Sequence, residues 1–142
     1  MGPILKILHL ASGDAWGGAE RSLAHLAAAQ RRSGPVEALL FNEGRLASTL
    51  RAADVPVRIV PEQGHSLLEL VRSVRAQVKA GGFDVVHAHR YKEIVIASLS
   101  CGDAGIPFQA ADGEVRFDTV RYRHRTYRGP SLVRLRSRLT AR

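Results

Sequence analysis

Cysteine is almost absent from the sequence, since Cys101 is the only one among 142 residues. A single cysteine excludes an internal disulfide framework and suits a reducing compartment. No apolar run approaches the roughly 18 residues that a membrane-spanning helix needs. The N-terminal segment is too short and too lightly charged for a secretory signal. These absences predict a soluble, cytoplasmic protein with one ordinary domain and a core of its own.

Acidic residues are missing from the C-terminal segment, residues 119–142. The net charge of the chain is +8, and this segment contains eight arginines and no aspartate or glutamate. In residues 1–118, thirteen basic and thirteen acidic side chains cancel. The basic character therefore belongs to the tail and not to the fold. We divide the chain into a folded domain, residues 1–118, and an Arg-rich C-terminal segment, residues 119–142, predicted to be helical or poorly ordered.

Three interpretations of this segment remain open. Leu132, Leu135 and Leu139 follow a helical stripe among arginines, which is typical of a basic amphipathic helix. Such a helix can pack against the rest of its own protein, or it can adhere to an anionic membrane at its inner face. In a third interpretation, Tyr122 and Tyr127 stack on bases of a nucleic acid. We favour these alternatives in the order given, with nucleic acid last.

Apolar runs alternate with helical patterns along the folded domain. Near-continuous apolar stretches predict buried strands over residues 4–10, 36–41, 55–60, 83–89 and 106–111. Helices are predicted from the glycine turn to Gly34, over 44–53, from the Ser66 capping box to Gly81, and over 94–101. This alternation predicts an α/β fold. It is a Rossmann-like three-layer sandwich with a parallel sheet of about five strands and helices on both faces.

Polar segments follow three of the predicted strands. They are the glycine-rich loop 13–21, "HAHR" after the fourth strand and "ADGE" after the fifth. Ligands of parallel α/β sheets bind beyond the carboxyl ends of the strands, so these segments predict a site there. A P-loop is excluded because Ala19 stands where its lysine must be, and Ala15 breaks the dinucleotide fingerprint. Gly17-Gly18 at a helix start can let the backbone approach an anion, or it can be a tight turn without a ligand.

Three stretches in series resemble a known family. "ILHLASGDAWGGAERSLAHLA", "EGRLASTLRAADVPVRIV" and "GFDVVHAH" are similar to the N-terminal, acceptor-binding domain of the retaining family 4 glycosyltransferases, of GT-B fold. The resemblance covers roughly residues 4–112. Members of that family have a second domain that binds the sugar nucleotide and carries an E-x7-E element, and no two glutamates in this chain have that spacing.

The resemblance implies a hexosyltransferase that moves a sugar from a nucleotide-sugar donor to a sugar or lipid-linked acceptor with retention. It places the enzyme in bacterial-type cell-surface polysaccharide or glycolipid biosynthesis. It implies that this segment is inactive alone, and that no cofactor and no metal act at the catalytic centre. The alternative is a non-catalytic Rossmann-like module that binds an anionic ligand, a lipid surface or a partner protein.

The resemblance also assigns roles to particular residues. His89 would be the catalytic residue, beside the junction of sugar and diphosphate, where an imidazole can stabilise developing charge. The substrate-binding residues would be Gly17, Gly18, Glu20, Asp112 and Gly113. Asp112 stands where the family commonly has a histidine.

Two of these assignments have competing interpretations. Glu20 is favourable at a helix start through the helix dipole alone. His87 and His89 alternate on a strand and so share a face. Three interpretations remain open. Both can be core histidines, or they can be a metal-binding pair, although no third ligand lies at a convincing spacing. In the third interpretation, His87 packs in the fold and His89 is catalytic.

Overall fold

The computed structural model describes residues 4–102, 108–112, 115–117, 120–122 and 125–127. Within these ranges, six strands form one sheet in the order β3-β2-β1-β4-β5-β6. The five strands β1 to β5 are parallel, and β6 is antiparallel to β5. The strands are β1 Ile7–Ala11, β2 Val36–Leu40, β3 Val57–Ile59, β4 Val85–His89, β5 Phe108–Asp112 and β6 Val115–Phe117.

Helices cover both faces of this sheet, as the sequence predicts. They are α1 Gly18–Ser33, α2 Arg45–Ala52, α3 Leu67–Gly81 and α4 Tyr91–Gly102. One core lies under α1 and α2, and a second core lies under α3 and α4. Burial of each helix against an apolar sheet face is what stabilises this arrangement.

The two faces of β1 explain why its sequence is apolar throughout. Leu8 and Leu10 belong to the core under α3 and α4, whereas Ala11 and the partly buried Ile7 belong to the core under α1 and α2. Because side chains alternate along a strand, His9 faces the α1 side. It is completely buried there.

The predicted ends of α3 are confirmed. The hydroxyl of Ser66 accepts a hydrogen bond from the backbone N–H of Glu69 at 3.2 Å, which satisfies one amide of the first turn. Gly82 ends the helix with φ of 64°, a left-handed conformation that glycine adopts at little cost.

Several boundaries differ from the prediction. Helix α4 begins at Tyr91, three residues before the predicted start, because only Arg90 separates it from β4. Arg90 makes this abrupt connection with a φ of 72°, which is uncommon for a residue with a side chain. Strand β5 extends to Asp112 and is followed by the antiparallel β6, which the helix-and-strand alternation did not predict.

Part of the Arg-rich segment forms strands where a helix or poor order was predicted. Strands β7 Val120–Tyr122 and β8 Arg125–Tyr127 pair with each other in antiparallel fashion. The leucine stripe of Leu132, Leu135 and Leu139 lies outside the described residues, so the predicted amphipathic helix stays a prediction. No helix in the described part of the chain is both long and apolar enough to cross a membrane.

Candidate functional site

The candidate site lies at the edge of the sheet where the parallel strands end, which we call the carboxyl edge. Strands β1 and β4 are direct neighbours, with Leu10 opposite Ala88. The glycine turn, Gly17-Gly18, connects β1 to α1, and His89 ends β4. The sheet therefore brings together two of the predicted site segments, which are about 70 residues apart in the sequence.

Glu20 fastens the glycine turn to the end of β4. One carboxylate oxygen accepts a hydrogen bond from the backbone N–H of Gly17 at 2.8 Å, and the other pairs with the guanidinium of Arg90. Glu20 is buried, and its oxygens are satisfied by these two partners. Its place in the first turn of α1 is also favourable to the helix dipole. Glu20 thus has a structural role in the fold, and its role in substrate binding stays a prediction.

The two glycines of the turn are exposed, but a Cβ on Gly17 would lie 3.3 Å from the Oε2 atom of Glu20, which is a tight contact. Gly17 has a φ of −122°, which any residue can adopt. A Cβ on Gly18 would meet nothing within 4 Å. Gly13 is different, because its φ is 81° and a Cβ there would lie 2.8 Å from the carbonyl oxygen of Asn42. The fold requires glycine at residue 13, whereas at residue 18 it leaves open space.

Three histidines form a cluster beneath α1, which we call the histidine cluster: His9, His87 and His89. Nδ1 of His9 lies 3.0 Å from Nε2 of His89, and Nε2 of His9 lies 2.6 Å from the amide oxygen of Gln30. The His87 ring is 4.3 Å from the His89 ring between centroids. His9 therefore connects helix α1 to the predicted catalytic residue.

Burial keeps His9 and His89 of this cluster neutral. Loss of hydration lowers the pKa of His9 to about 4, partly opposed by the hydrogen bond with Gln30. Desolvation, together with the neighbouring His87 and His9, lowers the pKa of His89 to about 2. At neutral pH, His89 is therefore an uncharged imidazole.

His9 is the third histidine that sequence spacing did not supply. The possible ligand nitrogens of the three rings lie within 4.8 Å of one another, so proximity alone would allow a metal ion. However, the facing nitrogens of His9 and His89 are at hydrogen-bond distance, and the other nitrogen of His9 is engaged by Gln30. The sequence did contain a signal for His9. Side chains alternate along β1, so residue 9 points to the sheet face that α1 covers, and it lies opposite His87 once β1 and β4 are adjacent.

A second polar group at the carboxyl edge, the lysine cluster, was not predicted. Nζ of Lys92 lies 2.5 Å from a carboxylate oxygen of Glu62 and 3.3 Å from the hydroxyl of Ser12. The amide of Asn42 donates to the other oxygen of Glu62 at 2.7 Å. Both donors lower the pKa of Glu62, Lys92 more than Asn42. These residues come from three connections and from the first turn of α4, so no single stretch of sequence indicates them.

Glu93 lies next to this cluster and is only 1% exposed. Neither of its carboxylate oxygens has a hydrogen-bond partner among the described residues. Desolvation raises the pKa of Glu93, although Lys92 and Arg90 oppose the shift. Its one ion pair is with Lys92, whose Nζ lies 3.8 Å from Oε1 of Glu93. A buried carboxyl group with a raised pKa is found at functional sites as well as in structural networks.

The remaining predicted residues are only partly placed. Asp112 is the last residue of β5 and pairs with Val115 of β6. Because β5 is parallel to β4, Asp112 comes at the carboxyl edge as predicted. Gly113 lies outside the described residues. The roles of Asp112 and Gly113 stay predictions.

This edge has the chemistry of an anion and hydroxyl site. The start of α1 is exposed and presents backbone N–H groups. Arg90, paired with Glu20, and Lys92, paired with Glu62, belong to the same edge, and about half of each cationic side chain is exposed. The neutral imidazole of His89 can form a hydrogen bond with a hydroxyl. A phosphorylated sugar presents both kinds of partner.

Comparisons with known proteins bear on the fold of the chain. No protein-family model and no curated protein matches the chain. Among solved structures, HepE from Anabaena, in complex with UDP and glucose, is similar with 27% identity and a TM-score of 0.62, over 73% of this chain and 28% of HepE. A glycosyltransferase from Rickettsia africae is similar with 14% identity and a TM-score of 0.66, over 94% of this chain and 33% of its own.

The same fold also occurs in an enzyme of different activity. A UDP-N-acetylglucosamine 2-epimerase is similar with 13% identity and a TM-score of 0.54, over 78% of this chain and 32% of its own. The chain thus spans about a third of the length of the structures it resembles. Its fold is the Rossmann-like α/β fold of GT-B glycosyltransferases, and its neighbours include structures of HepE in complex with UDP and with UDP-glucose.

Proposed function

We propose that this chain is the acceptor-binding half of a retaining GT-B glycosyltransferase. In this proposal the enzyme moves a hexosyl group from a nucleotide-sugar donor to a sugar or lipid-linked acceptor. The carboxyl edge is the part of the cleft that this half contributes. The product would belong to a cell-surface polysaccharide or glycolipid.

One observation carries the proposal. The exposed glycine turn and His89 lie at one edge, and Glu20 and Arg90 hold the turn and the end of β4 together. Such fixed placement is what a transfer reaction requires, because positioning supplies a large part of its rate. HepE is similar over 73% of this chain and holds UDP and glucose, which supports a UDP-sugar as the donor.

In this proposal, each group at the edge has a defined role. The backbone of Gly17 and Gly18 approaches the donor diphosphate, and Arg90 adds positive charge beside it. His89 lies at the sugar, and Asp112 and Gly113 contact substrate from the end of β5. No metal is required, because fixed amides and cations stabilise the departing phosphate.

We propose further that the 142 residues alone transfer no sugar. The second domain of the resembled family supplies most of the contacts with the nucleotide. Without such contacts the donor would not be held in position for attack.

The experiment is an assay of the full reading frame against a panel of nucleotide sugars, with release of nucleoside diphosphate and transfer of labelled sugar as readouts. Transfer to a carbohydrate or lipid extract, with the anomeric configuration retained by NMR, would support the proposal. Interconversion of the sugar without transfer would indicate an epimerase instead. Binding of the donor without any turnover would favour the non-catalytic module.

A further inference from the structure

Gln30 lies in helix α1, and His89 lies at the end of β4, yet the two residues are connected through His9. The connection is the Gln30–His9–His89 hydrogen-bond chain, with contacts of 2.6 Å and 3.0 Å. His9 is completely buried in the middle, so water does not compete for either of its nitrogens. A buried hydrogen-bond chain of this kind has a direction, because each neutral imidazole carries one N–H and one acceptor nitrogen.

The amide oxygen of Gln30 sets that direction. An oxygen can only accept, so Nε2 of His9 must carry the proton that faces it. Neutral His9 then has no proton on Nδ1, and that nitrogen is an acceptor. Nε2 of His89, 3.0 Å away, must therefore be the donor. This leaves the other nitrogen of His89, Nδ1, without a proton.

We propose that Gln30 and His9 are positioning residues that hold His89 in its Nε2–H tautomer, with Nδ1 as the only nitrogen available to a substrate. His89 in this state can accept a hydrogen bond from a hydroxyl but cannot donate one to a phosphate oxygen. The role of His89 in catalysis rests on the proposed function, whereas its tautomer does not. Partners of a buried ring commonly fix the tautomer of a functional histidine in this way.

The direct test is nitrogen NMR of the histidine rings in the 142-residue chain, with no ligand added. Long-range proton–nitrogen correlations distinguish an Nε2–H ring from an Nδ1–H ring, and single His→Gln variants assign the signals. We expect Nε2–H tautomers for both His9 and His89 at pH 7. An Nδ1–H tautomer of either ring overturns the proposal, and so does a signal of His89 averaged between tautomers.

A matched pair of variants tests whether residue 30 sets the direction. Gln30→Glu keeps an acceptor and should leave His89 in its Nε2–H form. Gln30→Lys offers only a donor, which should reverse the chain and convert His89 to its Nδ1–H form. Gln77→Lys, at a half-buried glutamine of α3, is the control and should change neither ring. If His89 keeps its Nε2–H form in the Gln30→Lys variant, residue 30 does not set the direction of the hydrogen-bond chain. If that variant fails to fold, the wild-type spectrum still decides the tautomer of His89.

Addition of zinc is a second, independent test of the hydrogen-bond chain. Equimolar Zn²⁺ should leave the spectra of the three rings unchanged, because the facing nitrogens of His9 and His89 are hydrogen-bonded to each other. Stoichiometric zinc shifts in all three rings would show that the cluster is a metal site, and would overturn the hydrogen-bond chain.

The kinetic counterpart uses the full-length enzyme. Gln30→Lys should lower kcat about tenfold or more, the value of one lost hydrogen bond, with a smaller change in the donor KM. Gln30→Glu should restore most of the rate. If the protein proves not to be a transferase, the NMR result stands by itself. If it is a transferase and both variants keep wild-type rates, the tautomer of His89 does not matter to the reaction.

Discussion

Nδ1 of His9 and Nε2 of His89 lie 3.0 Å apart at the base of the carboxyl edge, and both rings are neutral at pH 7. The burial of these rings predicts an acid-sensitive fold. The unfolded chain binds a proton at His9 near pH 6.5, whereas the folded chain does so only near pH 4. Between these values the unfolded state carries more protons, so stability falls as the pH falls.

For the fully buried His9, the free energy of unfolding should decrease by about 1.5 kcal/mol between pH 6.5 and pH 5. His89 should add to this loss in the same direction. Urea unfolding across this range measures the effect. His9→Gln should flatten the pH dependence, whereas His25→Gln, at an exposed histidine, should leave it unchanged. Equal slopes for wild type and His9→Gln would mean that His9 is not held neutral by burial.

The second prediction concerns the contact between Glu20 and Arg90. Glu20→Ala removes the cap on Gly17 and leaves Arg90 without its partner, which should cost about 1–3 kcal/mol of stability. The exposed pair of Glu43 and Arg51 is the control, and Glu43→Ala should have no measurable effect. Thermal or urea unfolding compares the two variants. A negligible effect at Glu20 would show that the glycine turn is not fastened by this contact.

The third prediction distinguishes a glycine that ligand binding requires from a glycine that the fold requires. Gly18→Ala should raise stability by about 0.5 kcal/mol, because the site is open and alanine favours the helix. Gly81→Ala should lower stability, since its Cβ would come within 2.1 Å of the Phe83 ring. Donor binding by the full-length enzyme should weaken for Gly18→Ala in spite of its greater stability. A stable Gly18→Ala with unchanged donor affinity would exclude close approach of a diphosphate at this turn.

The fourth prediction concerns the Arg-rich segment. Each arginine near an anionic bilayer contributes about 1 kcal/mol at low salt, so replacing Arg134, Arg136 and Arg138 by glutamine should weaken vesicle binding roughly 100-fold. Replacing the exposed Arg31 and Arg32 of α1 is the control and should have a much smaller effect. Sedimentation with vesicles of anionic and of neutral lipid measures both. Equal binding of the wild-type chain to neutral vesicles would exclude an electrostatic membrane contact, and a mobility shift of RNA would favour the nucleic-acid interpretation.

The sequence predicts the fold well because its signals are local. Near-continuous apolar runs mark the strands buried on both faces, and Ser66 and Gly82 mark the ends of α3. The exact edges were less predictable. Arg90 starts α4 early through a left-handed turn that no residue pattern indicates, and β6 adds an antiparallel strand after five parallel ones.

The site was predictable only in part, for a related reason. His89 and the glycine turn belong to recognisable stretches, but their partners come from distant segments. His9 becomes a neighbour of His89 only through the pairing of β1 with β4, and Gln30 only through the packing of α1 on that face. Lys92, Glu62 and Asn42 meet because the start of α4 and two connections lie at the same edge. Such contacts follow from strand order, which the sequence pattern left undetermined.

The most direct test of the central claim is sugar transfer by the full-length protein and its His89→Ala variant. We expect transfer from a nucleotide sugar by the wild type, a fall in kcat of about 100-fold or more for His89→Ala, and a donor KM within a few-fold of wild type. His65→Ala, at an exposed histidine outside the cluster, should behave as wild type. Wild-type kinetics of His89→Ala, or the absence of transfer from every nucleotide sugar tested, would contradict the assignment of the carboxyl edge to a glycosyltransferase active site.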